Sequence, residues 1–154
     1  MENQEIILSD FGPHLMMDCR GCDTNLISDL AYVFKVLDEL PDAVGMTKIT
    51  QPYVFPYSGK VPEDKGITGM VIIAESHITF HSFIEKDYFF FDIFSCKPFD
   101  VQQVVDYIVQ AFQVKNPQVH RVDRGRDFPR QADHAAHVLH VPDTPEALVG
   151  RVPL

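Results

Sequence analysis

Apolar and polar residues alternate along the middle of the chain. Ile78 and Phe80 are apolar, and the residues around and between them are polar: His77, Thr79 and His81. Because successive side chains of a strand point to opposite faces of a sheet, this alternation predicts a strand over residues 77–83 with one buried face. A second apolar run, residues 88–94, follows a polar turn, and together the two runs predict an antiparallel hairpin.

Two other stretches show the apolar spacing of a helix that buries one face. The first begins at Asp23 or Thr24, either of which can cap it, and is predicted to end at Pro41. Its apolar positions are Leu26, Ile27, Leu30, Phe34 and Leu37. The second follows the cap candidate Asp100 and is predicted to end at Asn116-Pro117. Its apolar positions are Val101, Val104, Val105, Ile108, Ala111 and Phe112.

The remaining apolar runs predict short strands, and these fix the fold class. They cover residues 14–19, 46–54, 70–74 and 118–122, and residues 57–66 are predicted to be a loop. The resulting order, β-α-β-β-β-β-α-β, favours an α+β fold, a two-layer sandwich in which a largely antiparallel sheet carries two main helices on one face. The other face of such a sheet needs solvent or a covering partner, and we expect a second subunit there.

We expect one domain over residues 1–127, opened by an arm, and a C-terminal tail over residues 128–154. The composition is 45 % hydrophobic and 23 % charged, as in ordinary globular proteins. No apolar run is long enough to span a bilayer and no signal-peptide pattern is present, so we expect a cytoplasmic protein with no membrane partner. The formal net charge of −9 argues against a nucleic-acid partner and favours a cationic small molecule.

The chain has three cysteines, Cys19, Cys22 and Cys96, and this odd number predicts reduced thiols. Cys19-Arg20-Gly21-Cys22 is a lone C-x-x-C motif, and no second motif supplies the other ligands of a structural zinc site. A strand end and a turn are therefore preferred over a redox or metal role. The recurrent tail histidines are expected in a solvated or interface helix turn, and no metal is expected. These histidines are His134, His137 and His140.

The candidate chemistry is gathered around Ser76, whose hydroxyl is a weak nucleophile unless a neighbour activates it. One interpretation is a hydrolase that uses Ser76 or Cys96, with His81 as base and Asp92 to orient it, but the G-x-S-x-G motif is absent. Another is a metal site on His77, His81 and Cys96, although the two histidines are too far apart along a strand. Self-processing is the third. Spacing alone also allows a core serine beside hydrogen-bonded histidines.

Two strings carry a family resemblance. The first is Gly66-Ile67-Thr68-Gly69-Met70-Val71-Ile72-Ile73-Ala74-Glu75-Ser76-His77-Ile78-Thr79-Phe80-His81-Ser82, and the second is Asp92-Ile93-Phe94-Ser95-Cys96. They resemble the signature of the prokaryotic S-adenosylmethionine decarboxylase proenzymes, a family of pyruvoyl-dependent enzymes. The resemblance extends more weakly from the first helix to Arg124-Gly125-Arg126 and does not cover the tail.

The resemblance implies that the chain cuts itself between Glu75 and Ser76. The Ser76 hydroxyl attacks the carbonyl of Glu75, the amide becomes an ester, and elimination releases residues 1–75 as the β chain. Residue 76 then becomes a pyruvoyl group at the head of the α chain, residues 76–154. His81 matches the histidine that assists this processing, and Thr68 stands where the family has a helper serine.

The resemblance also implies a decarboxylase of polyamine and spermidine biosynthesis that works as a homodimer of cleaved protomers. The covalent pyruvoyl group from Ser76 replaces pyridoxal phosphate and holds the amino-acid-type substrate as a Schiff base, so that it serves as the electron sink. Cys96 matches the residue that returns a proton to the substrate, a role that suits a thiol. Glu85 matches a residue that binds ribose hydroxyls, and Phe55 matches an aromatic that stacks on adenine.

The chain departs from the family pattern near the expected substrate pocket. Phe83-Ile84 replace a usual Trp-Pro, and the segment between Phe55 and Gly66 is longer than in compact members. S-adenosylmethionine is the expected substrate. The alternatives are a pyruvoyl-dependent L-arginine or L-ornithine decarboxylase on the same scaffold, and a non-processing binding homologue.

Overall fold

The computed structural model describes residues 6–131, with side chains from residue 9 to residue 129. The histidines predicted to lie in a helix turn of the tail, His134, His137 and His140, are outside the described residues. Within these bounds the chain forms one six-stranded sheet, a separate strand pair, three α-helices and two short 3-10 helices, Pro62–Asp64 and Ile84–Lys86.

The main sheet has the strand order β3-β4-β5-β6-β2-β7, and every neighbouring pair is antiparallel. Its strands are β2 (Gly12–Arg20), β3 (Tyr53–Tyr57), β4 (Gly66–Ile73), β5 (Ser76–Phe83), β6 (Tyr88–Ser95) and β7 (Asn116–Arg124). The predicted hairpin therefore forms the centre of the sheet as β5 and β6. The α+β class and the antiparallel sheet are confirmed.

Three helices cover one face of this sheet: α1 (Thr24–Ser28), α2 (Leu30–Ala43) and α3 (Val101–Phe112). Asp23 and Asp100 cap α1 and α3 as predicted, each accepting a hydrogen bond from a first-turn amide. The fully buried rings of Phe80, Phe89 and Phe112 meet between the sheet and α3 with centroids 5.0 to 5.1 Å apart. This apolar layer holds the hairpin rigidly against the helices.

The prediction of one helix ending at Pro41 is wrong. Asp29 has extended backbone angles and its carboxylate accepts from the amides of Ala31 and Tyr32, so it ends α1 and caps α2. The second helix then continues through the buried Pro41 to Ala43. Pro41 cannot donate to the carbonyl of Leu37, but the amides of Val44 and Met46 close the last turn on the carbonyls of Leu40 and Pro41.

The predicted strand over residues 46–54 is also wrong. Before β3 only Lys48 forms a bridge, to Ile73, and β3 itself overlaps the predicted strand at residues 53–54 alone and extends to Tyr57, the first residue of the predicted loop. Pro56 lies within β3 and Pro117 within β7, and both are the outermost strands of the main sheet. Edge strands tolerate proline because one side of their backbone has no partner.

The predicted arm and the start of the predicted tail pair with each other. Strand β1 (Ile6–Ser9) runs antiparallel to β8 (Phe128–Gln131), and the Phe128 ring lies 4.8 Å from that of Phe11. These two segments therefore form a small sheet beside the main one.

The face opposite the helices, here called the open face, carries the polar side chains of β5. His77, Thr79 and His81 lie on it, while Ile78 and Phe80 are buried on the helix side, as the alternation predicts. Several large apolar side chains on this face are more than a third exposed. They are Tyr53, Phe55, Tyr57, Met70, Phe90 and Val122.

Candidate active site

The Glu75–Ser76 peptide bond lies in the tight turn between two central strands. Strand β4 ends at Ile73, which pairs with Ser76, so Ala74 and Glu75 make the turn. The amide of Ala74 donates to the carbonyl of Thr47 at 2.8 Å and anchors the turn from outside the sheet. The bond therefore lies at the end of the sheet, just beyond the last residue pair between β4 and β5.

The carbonyl of Glu75 receives a hydrogen bond from the backbone amide of Cys96 at 3.0 Å. The strand register causes this contact, because Ser76 pairs with Ser95 and Cys96 is the next residue along. An N–H group at this distance stabilises negative charge that develops on a carbonyl oxygen under attack. The same residue thus supplies a thiol and an oxyanion donor beside the turn.

Two groups hold the side chain of Glu75, and we call them the Glu75 clamp. The Thr47 amide donates to Oε2 at 3.1 Å, and Lys97 Nζ lies 3.9 Å from Oε1. The Glu75 side chain is only 10 % exposed. Lys97 is itself fixed, because its Nζ donates to the Gly45 carbonyl at 2.9 Å and its backbone is held on both sides by the buried Ser95 hydroxyl.

The Ser76 hydroxyl contacts the imidazole of the next residue, with 3.1 Å between Ser76 Oγ and His77 Nδ1. The His77 ring packs on Phe94 and lies 6.5 Å from the ring of His14. His14 Nε2 is in turn 3.4 Å from Asp92 Oδ1. Burial lowers the pKa of His14, and the nearby Asp92 carboxylate opposes that shift.

The hydrolase interpretation requires Asp92 to orient His81, but the structure does not pair these two residues. The cross-strand partner of Asp92 is Thr79, which donates to its Oδ2 at 3.3 Å, whereas His81 pairs with Phe90. In the described residues, 6–131, no group of three or more His, Cys, Asp or Glu side chains could hold a metal ion. The metal site proposed on His77, His81 and Cys96 therefore does not form within one chain.

His81 lies at the far end of β5 from Ser76. Five residues of antiparallel strand at about 3.4 Å each put their Cα atoms about 17 Å apart. His81 Nδ1 is 3.1 Å from Thr68 Oγ1, and Phe55 is the next residue across the register. Glu85, in the short helical turn after β5, is at the same end and forms an ion pair with Lys65 at 2.9 Å.

The site residues predicted from the sequence thus fall into two groups. The Ser76 group, at one end of β5, contains Ser76, Glu75 and Cys96, and the structure adds His77, Thr47 and Lys97 to it. The His81 group, at the other end, contains His81, Thr68, Phe55 and Glu85. One chain does not bring the two groups together.

A pocket of about 330 Å³ opens beside Cys96. Its lining is partly apolar and carries three carboxylates, Asp10, Asp100 and Asp123, and one cation, Arg121, which forms an ion pair with Asp123. Pockets of this size bind small molecules, and carboxylates in the walls favour a cationic one. The described residues contain no helix long and apolar enough to cross a membrane.

The two cysteines of the C-x-x-C motif are away from this pocket and buried in the core. Burial raises the pKa of Cys22 to about 12 and that of Cys19 above its ordinary range. Cys22 Sγ donates to the carbonyl of Cys19 at 3.4 Å. Both thiols therefore stay protonated at neutral pH and act as apolar packing groups.

The fold and the site define a class: a two-layer α+β protein whose serine, cysteine and histidine side chains lie at the ends of the central strands. Residues 13–125 match the family model described as S-adenosylmethionine decarboxylase. The chain therefore belongs to the S-adenosylmethionine decarboxylase family.

Individual relatives agree with this assignment. The chain is 31 % identical to an S-adenosylmethionine decarboxylase proenzyme of Pyrococcus horikoshii over 77 % of its own length and 81 % of the relative's. It is also 31 % identical to one from Clostridium botulinum, over 75 % and 95 % of the two lengths. The crystal structure of the adenosylmethionine decarboxylase from Aquifex aeolicus superposes with a TM-score of 0.62 and 25 % identity, over 76 % of this chain and 92 % of that one.

Proposed function

We propose that the chain is a self-processing, pyruvoyl-dependent S-adenosylmethionine decarboxylase of polyamine biosynthesis. Beyond family membership, one observation carries this proposal: the Glu75 carbonyl accepts a hydrogen bond from the Cys96 amide while the adjacent Ser76 hydroxyl is partly buried beside it. That arrangement suits attack by a serine on its own preceding peptide bond. Cleavage there gives a β chain of residues 1–75 and an α chain of residues 76–154 in a single domain with its tail.

The residues of the Ser76 group fit a pyruvoyl group in place of Ser76. That group, once formed, supplies an electron sink for decarboxylation of an α-amino acid. Cys96 borders both the turn and the pocket of about 330 Å³, so its thiol is the group positioned to return a proton to the product. Asp10 and Asp100 in the pocket wall would favour a positively charged substrate such as a sulfonium.

A second copy of the chain would complete the site. His81 and Thr68 are proposed to assist the elimination that follows ester formation, yet they lie about 17 Å along β5 from Ser76. The exposed aromatic side chains of the open face, Phe55 and Phe90 among them, favour cover by another protein surface. A two-fold partner whose β5 runs in the opposite direction would bring His81 of the partner subunit to Ser76 of the first chain.

Mass spectrometry under denaturing conditions tests the processing. We expect two fragments that separate before residue 76, with a pyruvoyl group at the head of the second, and we expect Ser76→Ala to leave the chain intact. Carbon dioxide release is then measured with S-adenosylmethionine, L-arginine and L-ornithine in parallel. Release from the first substrate alone is expected. An intact wild-type chain that releases no carbon dioxide would support a binding homologue instead.

Complementation between two variants tests the shared site. Ser76→Ala and His81→Ala chains carrying different tags are expressed separately and together. If His81 acts across the interface, only co-expression restores cleavage, and the cleaved fragments come from the His81→Ala chain. Failure of the pair to cleave while the wild type cleaves fully would show that His81 acts within its own chain.

A further inference from the structure

We propose that His77 is the general base that activates Ser76 for self-cleavage, a role that rests on the self-processing proposed above. Among the site residues predicted from the sequence, His81 is assigned to the later elimination and lies far from the hydroxyl. His77 is the imidazole in contact with it, at 3.1 Å from Ser76 Oγ to Nδ1. That distance is within the reach required of a base that takes a proton directly.

The residues around His77 hold its ring in the position needed to accept the proton of the Ser76 hydroxyl. Phe94 packs on the ring at a centroid distance of 5.9 Å, and the ring of His14, on β2 beyond β6, lies 6.5 Å away. In the tautomer with its proton on Nε2, the Nδ1 lone pair accepts from the Ser76 hydroxyl. The residue is partly buried, which limits competition from water.

The other basic groups near the turn are committed elsewhere. The Glu75 carboxylate accepts from the Thr47 amide and faces Lys97, and Lys97 Nζ is bound to the Gly45 carbonyl. The carboxylate of Asp92 faces His14 and Thr79. Among the described side chains of this end of the sheet, His77 is the base that contacts the Ser76 hydroxyl.

The step balances within the chain. The Ser76 hydroxyl proton moves to His77 Nδ1 as Oγ bonds to the carbonyl carbon of Glu75, and the negative charge develops on the oxygen that the Cys96 amide contacts. The C–N bond between Glu75 and Ser76 then breaks, and His77 returns the proton to the leaving nitrogen. The product is an ester with a free amine on residue 76, and no oxidant or reductant is needed.

The variant His77→Asn separates base catalysis from hydrogen bonding. Asparagine places an amide oxygen near the position of Nδ1, so it can accept from Ser76 but cannot take up the proton. We expect this variant to lose at least about 100-fold in the rate of cleavage, the range that a positioned base contributes. The control is Gln102→Asn, an exposed residue of α3 away from the open face, which should cleave at the wild-type rate.

Hydroxylamine trapping isolates the first step. Hydroxylamine cleaves esters, so a His81→Ala chain that forms the ester without eliminating it should release residues 1–75 as a hydroxamate. Adding His77→Asn to that background should slow the release about 100-fold. Thermal unfolding of each variant reports whether the fold is retained. If His77→Asn does not fold, imidazole added to a His77→Ala chain should restore cleavage in proportion to its concentration.

The outcomes distinguish the two proposals. Equal release of the hydroxamate, within about threefold, from His81→Ala chains with and without His77→Asn would overturn the role of His77 and leave self-processing intact. A wild-type chain that never splits, with no hydroxamate from His81→Ala, would overturn self-processing itself. Slow release that depends on His77 supports both.

Discussion

Replacing Lys97 with methionine should slow self-cleavage about fivefold while the fold is retained. Lys97 is the cationic half of the Glu75 clamp, 3.9 Å from the carboxylate and anchored on the Gly45 carbonyl. Methionine keeps most of the length and the apolar stem but removes the charge and the donor. The carboxylate of Glu75 would then keep the Thr47 amide as its protein donor, and the turn that carries the cleaved bond would lose one of its anchors.

The expected size of the effect of Lys97→Met follows from how far the Lys97 side chain is exposed to solvent. Lys97 is 55 % exposed, so solvent screens its attraction to the 10 % exposed Glu75, and such pairs contribute about 0.2–1 kcal/mol. The hydrogen bond from Nζ to the Gly45 carbonyl adds a contribution of similar order after the same discount. We therefore take about 1 kcal/mol for the loss. If this whole free energy is lost from the ordered conformation of the turn that the attack requires, self-cleavage slows about fivefold.

A double-mutant cycle provides the assay. Cleavage time courses are followed by denaturing mass spectrometry for Lys97→Met, Glu75→Gln and the double variant, with chains purified before processing is complete. We expect a coupling of about 0.5 kcal/mol or more between the two changes. Lys35→Met, which removes an exposed helix pair with Glu39, is the matched control and should cleave normally. Additive effects, or an unchanged rate in Lys97→Met, would refute the clamp as a positioning device.

Three further outcomes follow from single side chains. Cys96→Ser retains the amide on the Glu75 carbonyl, so it should still self-cleave but release carbon dioxide at least about 100-fold more slowly; normal release would remove the thiol from the reaction. In the folded chain, iodoacetamide at pH 8 should label Cys96 well before Cys22, whose pKa burial raises to about 12, and equal labelling by peptide mapping would contradict that burial. Burial lowers the pKa of His14 below 6.5, so the unfolded state takes up more protons as the pH falls below that value and the free energy of unfolding decreases. His14→Asn should therefore flatten the fall in melting temperature between pH 7 and pH 5, and an unchanged slope would contradict it.

The sequence predicts the centre of the sheet well because the pattern there matches the geometry of a strand directly. Polar and apolar residues alternate over 77–81, and the burial of β5 continues the same alternation through the buried Ser82. The error at residues 46–54 arises because the local pattern there does not determine how the chain pairs. Apolar content there predicts a strand, but pairing depends on β4, which bridges this stretch at Lys48 and begins to pair regularly only at Tyr53, where β3 starts. The position of an edge strand depends on a partner strand that is distant in the sequence, so a local pattern cannot predict it.

The site was only partly predictable for a similar reason. Motif resemblance identifies Ser76 and Cys96, but the hydrogen bond from the Cys96 amide to the Glu75 carbonyl arises from the register of β5 against β6. The contact between Ser76 and His77 was missed because neighbouring strand residues are expected on opposite faces. At the first residue of a strand that follows a tight turn, the serine hydroxyl can still reach the next imidazole. The signal available in the sequence was the adjacency of a serine and a histidine at a turn.

Because of the length of β5, one step of the proposed chemistry can occur within one chain and the next step requires two chains. No rotamer of His81 can span the approximately 17 Å that separates it from Ser76 along a strand whose buried face is locked by Phe80. His77, by contrast, contacts Ser76 within the same chain. Under the proposed mechanism, ester formation would need only a folded chain, whereas elimination would need a second one. We therefore expect an unassociated chain to reach the reversible ester, which returns to the amide, and to lose the serine hydroxyl irreversibly only when a partner subunit completes the proposed active site.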